Sequence, residues 1–126
     1  MKFITYKEKK GNYGNVTLIE FSFCKWKEGE KIKKIVNKIF SCQEDSLYFA
    51  GDVKEFLETY GEVFNCGIYN NLQTGIVDVC GINYYKKNCI NDCMQKIKNN
   101  RLQGYETVIS WLEQALQFNG FYIVGI

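Results

Sequence analysis

The stretch WLEQALQFNGFYIVGI constrains the fold more than any other part of the chain, because a helical apolar spacing, an Asn119-Gly120 break and an almost wholly apolar run follow one another directly. Terminal residues fray unless something ties them down. A last segment containing Phe121, Tyr122, Ile123 and Val124 therefore reads as a strand held inside a sheet, and the chain reads as one complete small domain. The helix before it, from Tyr105, turns Val108, Ile109, Leu112, Ala115 and Leu116 inward.

Earlier segments follow the same two periods. Residues 2–6 and 15–24 (NVTLIEFSFC) are rich in β-branched and aromatic types and are joined by the polar KEKKGNYG, which predicts an antiparallel pair. From residue 28 to residue 40 the spacing becomes helical, with Ile32, Ile35, Val36, Ile39 and Phe40 on one face and Lys31, Lys34 and Lys38 opposite. After the short apolar run LYFA, Asp52 is placed to cap a helix over residues 52–64. Its inward positions are Val53, Phe56, Leu57, Tyr60 and Phe64, and its outer face carries Glu55, Glu58 and Glu62. CGIY and GIVDVCGINYY read as strands joined by NNLQT, with Gly67, Gly75 and Gly81 marking bulges or breaks. A further helix turns Cys89, Ile90, Cys93, Met94 and Ile97 to one side before NNRLQG interrupts it. Together the segments predict a single α+β domain over residues 1–126, with a mostly antiparallel sheet of about five to six strands and about four amphipathic helices.

Composition removes several classes of function. The net charge is +2, from 16 Lys and Arg against 14 Asp and Glu, which is too balanced to make a phosphate backbone the obligatory partner. There is no His, so the usual general base and metal ligand are missing. The N-terminal apolar run is too short for a signal peptide, and no stretch approaches a membrane span. A cytoplasmic location follows as the expectation, with Cys24, Cys42, Cys66, Cys80, Cys89 and Cys93 as thiols.

Chemistry-bearing patterns are sparse. Cys89 and Cys93 share a helical face, but without a CxxC pair or a His they read as packed small residues rather than metal ligands. Glu44, Asp45, Asp52 and Glu55 form the densest acidic group and supply the carboxylate pair that a small hydrolase needs. GNYG at residues 11–14 does not have the spacing of a phosphate-binding loop. Lys25, Trp26 and Lys27 precede the basic stripe of Lys31, Lys34 and Lys38, and this interleaving is the chain's best pattern for nucleic acid or a nucleotide. No cofactor is implied.

The segments GINYYKK and YETVISWLEQALQFNGFYIVGI, within a small domain that has no catalytic motif, resemble the immunity proteins of bacterial polymorphic-toxin and contact-dependent inhibition systems. The likeness is of the whole chain, identifies no subfamily and carries over no individual residue. It implies a cytoplasmic protein that is not an enzyme and that binds and blocks the C-terminal domain of one cognate toxin. Many such toxins are nucleases with basic clefts, where carboxylates stand in for phosphates. Glu55, Glu58 and Glu62 are then the first binding candidates, with Glu44 and Asp45 in the preceding loop. The nucleic-acid module built on Lys25, Trp26, Lys31, Lys34 and Lys38 ranks second, and the carboxylate-pair hydrolase third.

Overall fold

The molecule is organised around one antiparallel sheet with both faces covered, so its central strands are buried at consecutive positions. The computed structural model describes residues 2–12 and 18–125. Its strands are β1 (Lys2–Thr5), β2 (Leu18–Phe23), β3 (Leu47–Ala50), β4 (Gly67–Ile68), β5 (Thr74–Gly75), β6 (Ile82–Tyr85) and β7 (Phe121–Gly125). Its helices are α1 (Tyr6–Asn12), α2 (Ile32–Ile35), α3 (Val53–Tyr60), α4 (Ile90–Asn100) and α5 (Tyr105–Ala115). The sheet order is β1-β3-β2-β7-β6-β4-β5. The expected α+β class holds, with seven strands and five helices among the described residues.

The closing strand is central. β7 lies between β2 and β6, in the register Phe21 to Ile123 and Tyr84 to Tyr122. Phe121 through Val124 are all buried, as the apolar run predicts. Alternate residues face opposite layers. Ile19, Phe21, Phe23, Phe49, Phe121 and Ile123 meet Phe56, Tyr60, Ile97, Val108, Trp111 and Leu112 of the helical layer. Phe23 is stacked between Trp111 and Phe118, with ring centroids 4.2 and 4.5 Å away. On the other face Cys24, Tyr84, Tyr122 and Val124 pack against Ile35 and Val36.

Two glycines are required where the chain turns. Gly120 has φ +86°, and a Cβ there would stand 2.1 Å from the Tyr85 carbonyl. The Asn-Gly break thus lets α5 return into the sheet in the left-handed backbone that glycine tolerates. Gly104, at φ +77°, opens α5 against the Phe3 ring, while Arg101 closes α4 with φ 43°.

Three expectations are corrected. First, β1 does not pair with β2, because β3 lies between them and pairs with both. The buried β3 run of Leu47, Tyr48 and Phe49 is better placed inside the sheet, which leaves β1 at the edge. The start of the expected second strand, residues 15–17, lies outside the described residues, as do residues 13 and 14 of the glycine-containing connection. Second, that connection is not a plain loop, since α1 begins at Tyr6, the last residue of the expected first strand, and runs through it to Asn12. Glu8 N–H donates to Thr5 Oγ1 (3.2 Å) and Thr5 N–H donates to Glu8 Oε1 (3.1 Å), a capping box written in the sequence as T-Y-K-E.

Third, the helix expected over residues 28–40 is only one turn, Ile32–Ile35. Its carbonyls are taken by side chains. Tyr122 donates to the Ile35 carbonyl (2.7 Å), and Trp26 Nε1 donates to the Lys38 carbonyl (2.9 Å). The Cys42 N–H, which a continuing helix would have sent to Lys38, goes instead to Glu20 (2.6 Å). The β-branched Ile32, Ile35, Val36 and Ile39 give the helix little propensity to resist this competition. By contrast the helix expected at residues 52–64 forms as α3, with the Asp52 side chain accepting from Lys54 N–H at 3.0 Å, and a further turn carries Phe64 into the core.

Candidate functional site

The acidic candidates divide between two surfaces. α3 buries Phe56 and Tyr60, so Glu58 and, in the following turn, Glu62 are left exposed on its outer side. They line a groove of about 770 Å³ together with Leu57, Val63, Leu102 and Ile76. Ile76 is 59% exposed and, with Leu72 at 47%, is one of two large apolar side chains left open among the described residues. Lys96 is the only cation among the described residues lining this groove. Like charges one helical turn apart repel slightly, so the Glu58 and Glu62 pair does not itself stabilise this turn. Glu55 is half-buried on the first turn of the same helix and does not line the groove.

Glu44 and Asp45 line a separate depression of about 490 Å³ with Thr5, Glu106, Ser110 and Trp111. Asp45 is already engaged there. Its Oδ2 pairs with Lys25 Nζ at 3.0 Å, and its backbone carbonyl accepts from Trp111 Nε1 at 2.9 Å. Asp45 therefore anchors the loop before β3 to α5, while Glu44 remains exposed. Asp52 is occupied as the α3 cap, so of the four carboxyls considered for hydrolysis two have structural duties.

The basic candidates do assemble, but around a structural tryptophan. Lys34 Nζ stands 4.6 Å from the centroid of the Trp26 ring and Lys38 Nζ stands 5.9 Å from it. The Trp26 edge packs on Phe40 at 5.6 Å, and its N–H holds the Lys38 carbonyl. A base seeking to stack on Trp26 would have to displace these contacts. Lys25 is tied to Asp45 and Lys34 lies 3.9 Å from Glu30, whereas Lys31 is exposed beside the single turn of α2.

Sequence reasoning missed three features. Ile76 sits in a β-like pattern that gives no sign of its exposure, because residues 76–81 leave the sheet: Asn83 donates to the Asp78 carbonyl and accepts from Asp78 N–H, holding the segment as a loop. Glu106 completes an acidic rim from the outer side of α5. Glu20 is the third and is 1% exposed. Its Oε2 accepts from Tyr48 O–H at 3.1 Å and from Cys42 N–H at 2.6 Å. Burial, followed by the neighbouring Glu20 charge, raises the Tyr48 phenol well above its ordinary range. Neither depression described above is lined by Glu20, so it ties the 41–46 loop to the sheet rather than facing a substrate.

Among the described residues no group of three or more His, Cys, Asp or Glu is arranged to hold a metal ion, and no helix is long and apolar enough to cross a membrane. Comparison with protein-family models, with curated proteins and with solved structures returns no match.

Proposed function

We propose that this chain is a cytoplasmic immunity protein that binds the C-terminal domain of a cognate toxin, possesses no catalytic activity of its own, and uses the groove beside α3 as its contact surface. The observation that carries this reading is the placement of exposed Ile76 on the same groove as Glu58 and Glu62. An apolar anchor beside exposed acids is the chemistry of a protein interface, in which the apolar side chain fills a pocket and the charges steer the partner and set its register. A partner with a basic cleft, such as a nuclease, offers the complementary surface. Glu44 and Glu106 extend acidic character to a second surface but lack such an anchor.

The basic segment supports a nucleic-acid role less well, because the Trp26 ring and N–H are already used in holding residues 31–40 to the sheet. Co-expression of the chain with the toxin domain encoded beside it tests the proposal. Growth is expected to be rescued, and a complex is expected to survive gel filtration. Absence of both rescue and complex with that neighbouring product would overturn the reading.

A further inference from the structure

Trp111, Phe23 and Phe118 form a stack of three nearly parallel rings, with successive centroids 4.2 and 4.5 Å apart and planes 4° and 10° from parallel. Trp111 and Phe23 are buried, whereas Phe118, at the end of the stack, is only half-buried. It lines a depression of about 480 Å³ between residues 24–28 and the residues that join α5 to β7. Clefts that take small ligands commonly hold about 300–1,000 Å³. This one shares no lining residue with the groove beside α3.

The depression has a braced floor and a cationic rim. Cys24 N–H donates to the Gly120 carbonyl (3.0 Å), Asn119 N–H to the Cys24 carbonyl (3.2 Å), and the Asn119 side-chain amide to the Lys27 carbonyl (3.2 Å). Tyr84 O–H donates to the Asn119 carbonyl at 2.7 Å, which ties the same turn to the sheet. A cleft fixed in this way loses little conformational freedom when it is filled. Lys25, Lys27 and Lys87 line it against a single carboxylate, Glu28. Lys87 stands 3.7 Å from Glu28 and Lys25 stands 3.0 Å from Asp45, and these four side chains are between 31% and 76% exposed. Ion pairs so open to water are weak and can be exchanged for a phosphate. Lys27 belongs to no ion pair among the described residues.

We propose that this depression binds a purine mononucleotide, with its base laid against the Phe118 ring and its phosphate held by Lys27 and Lys87. A ring and ammonium groups in one cleft suit a ligand that carries both a planar base and an anion: inorganic phosphate would use only the lysines, and an uncharged ring only Phe118. Gln117 is exposed beside the ring and carries the donor and acceptor that match an adenine edge. Trp26 also lines the cleft, but its ring is already engaged by Lys34 and Phe40, so Phe118 is the stacking surface. The site goes beyond the toxin-binding reading and does not depend on it.

Isothermal titration calorimetry of the full chain with adenosine 5′-monophosphate (AMP) is the test. One AMP per chain is expected to bind saturably, with adenosine and inorganic phosphate each at least about tenfold weaker, because each keeps only part of the contacts. Lys27→Glu combined with Lys87→Glu should weaken AMP binding by about tenfold or more while the urea midpoint stays nearly unchanged, since both side chains are exposed. Phe118→Leu keeps apolar bulk but removes the ring, and should weaken AMP by about tenfold without changing the affinity for phosphate. Backbone amide shifts caused by AMP should concentrate at residues 24–28 and 117–119. Absence of saturable binding at millimolar AMP would overturn the proposal. So would equal affinity for AMP and inorganic phosphate, the behaviour of a plain cationic surface, or a short single-stranded oligoadenylate bound far more tightly than AMP, which would assign the surface to nucleic acid. The lysine variant decides the matter even where Phe118→Leu fails to fold.

Discussion

Replacing Glu20 separates a carboxyl kept for structure from one kept for chemistry. Glu20→Ala removes the acceptor of the buried Tyr48 O–H at 3.1 Å and of the part-buried Cys42 N–H at 2.6 Å. The orphaned buried donor costs about 1–3 kcal/mol and the part-buried one, which water can reach, about 1 kcal/mol or less, so the loss should be roughly 1–4 kcal/mol. That is a large share of the stability of a domain this size, on the order of 5–15 kcal/mol. Glu20→Gln keeps an oxygen in the same place and should lose only about 1–2 kcal/mol, within the common range for single substitutions. Urea unfolding followed by circular dichroism is the assay. The midpoint should fall in the order wild type, Glu20→Gln, Glu20→Ala, with the slope unchanged. A Glu20→Ala protein as stable as the wild type, or more so, would refute the reasoning, because residues retained for activity commonly detract from stability.

Deleting residues 121–125 should leave the chain insoluble or unfolded, because four buried side chains at about 1.5–3 kcal/mol each leave the centre of the sheet; a soluble product with an unchanged melting temperature would contradict this. Asp52→Ala should cost about 1 kcal/mol through loss of the α3 cap, read as a lower urea midpoint. Tyr48, Tyr60, Tyr84, Tyr85 and Tyr122 all have phenols raised by burial above the ordinary value of 10.0, so the folded state holds protons that the unfolded state releases. The stability they contribute is complete below that value and is lost as the pH rises through it towards the folded values. Phenolate absorbance from these residues should therefore appear together with unfolding; its gradual appearance while the circular dichroism stays native would be inconsistent with their burial.

Period and capping made much of the fold readable in the sequence, but competition for backbone groups did not appear there. β7, α3, α4 and α5 follow from runs whose apolar positions all point one way, and the packing agrees with the spacing. The 28–40 segment has an equally good helical pattern and forms one turn, because Tyr122 and Trp26, distant in sequence, take its carbonyls. Strand order was equally hidden: nothing local says that β3 enters between β1 and β2. At the candidate site, Glu58 and Glu62 were legible as the outer face of a helix. Ile76 was not, since its exposure depends on Asn83 holding residue 78 out of the sheet.

The central claim is that the groove beside α3 is where a partner protein binds. Its most direct measurement is the affinity of the chain for the toxin domain proposed to be encoded beside it, at low and at high salt, made with two variants of opposite design. Glu58→Lys, Glu62→Lys and Ile76→Asp together remove the acidic rim and the apolar anchor, while Lys31→Glu, Lys34→Glu and Lys38→Glu together reverse the basic segment. The groove variant is expected to remain folded and to lose binding by about a hundredfold or more, on the order of 3 kcal/mol, as truncation of an interface anchor does. The lysine variant should bind nearly as well as the wild type, and salt should slow wild-type association by screening the steering charges. Full binding by the groove variant, with loss confined to the lysine variant, would contradict the account and move the contact surface to the segment around Trp26.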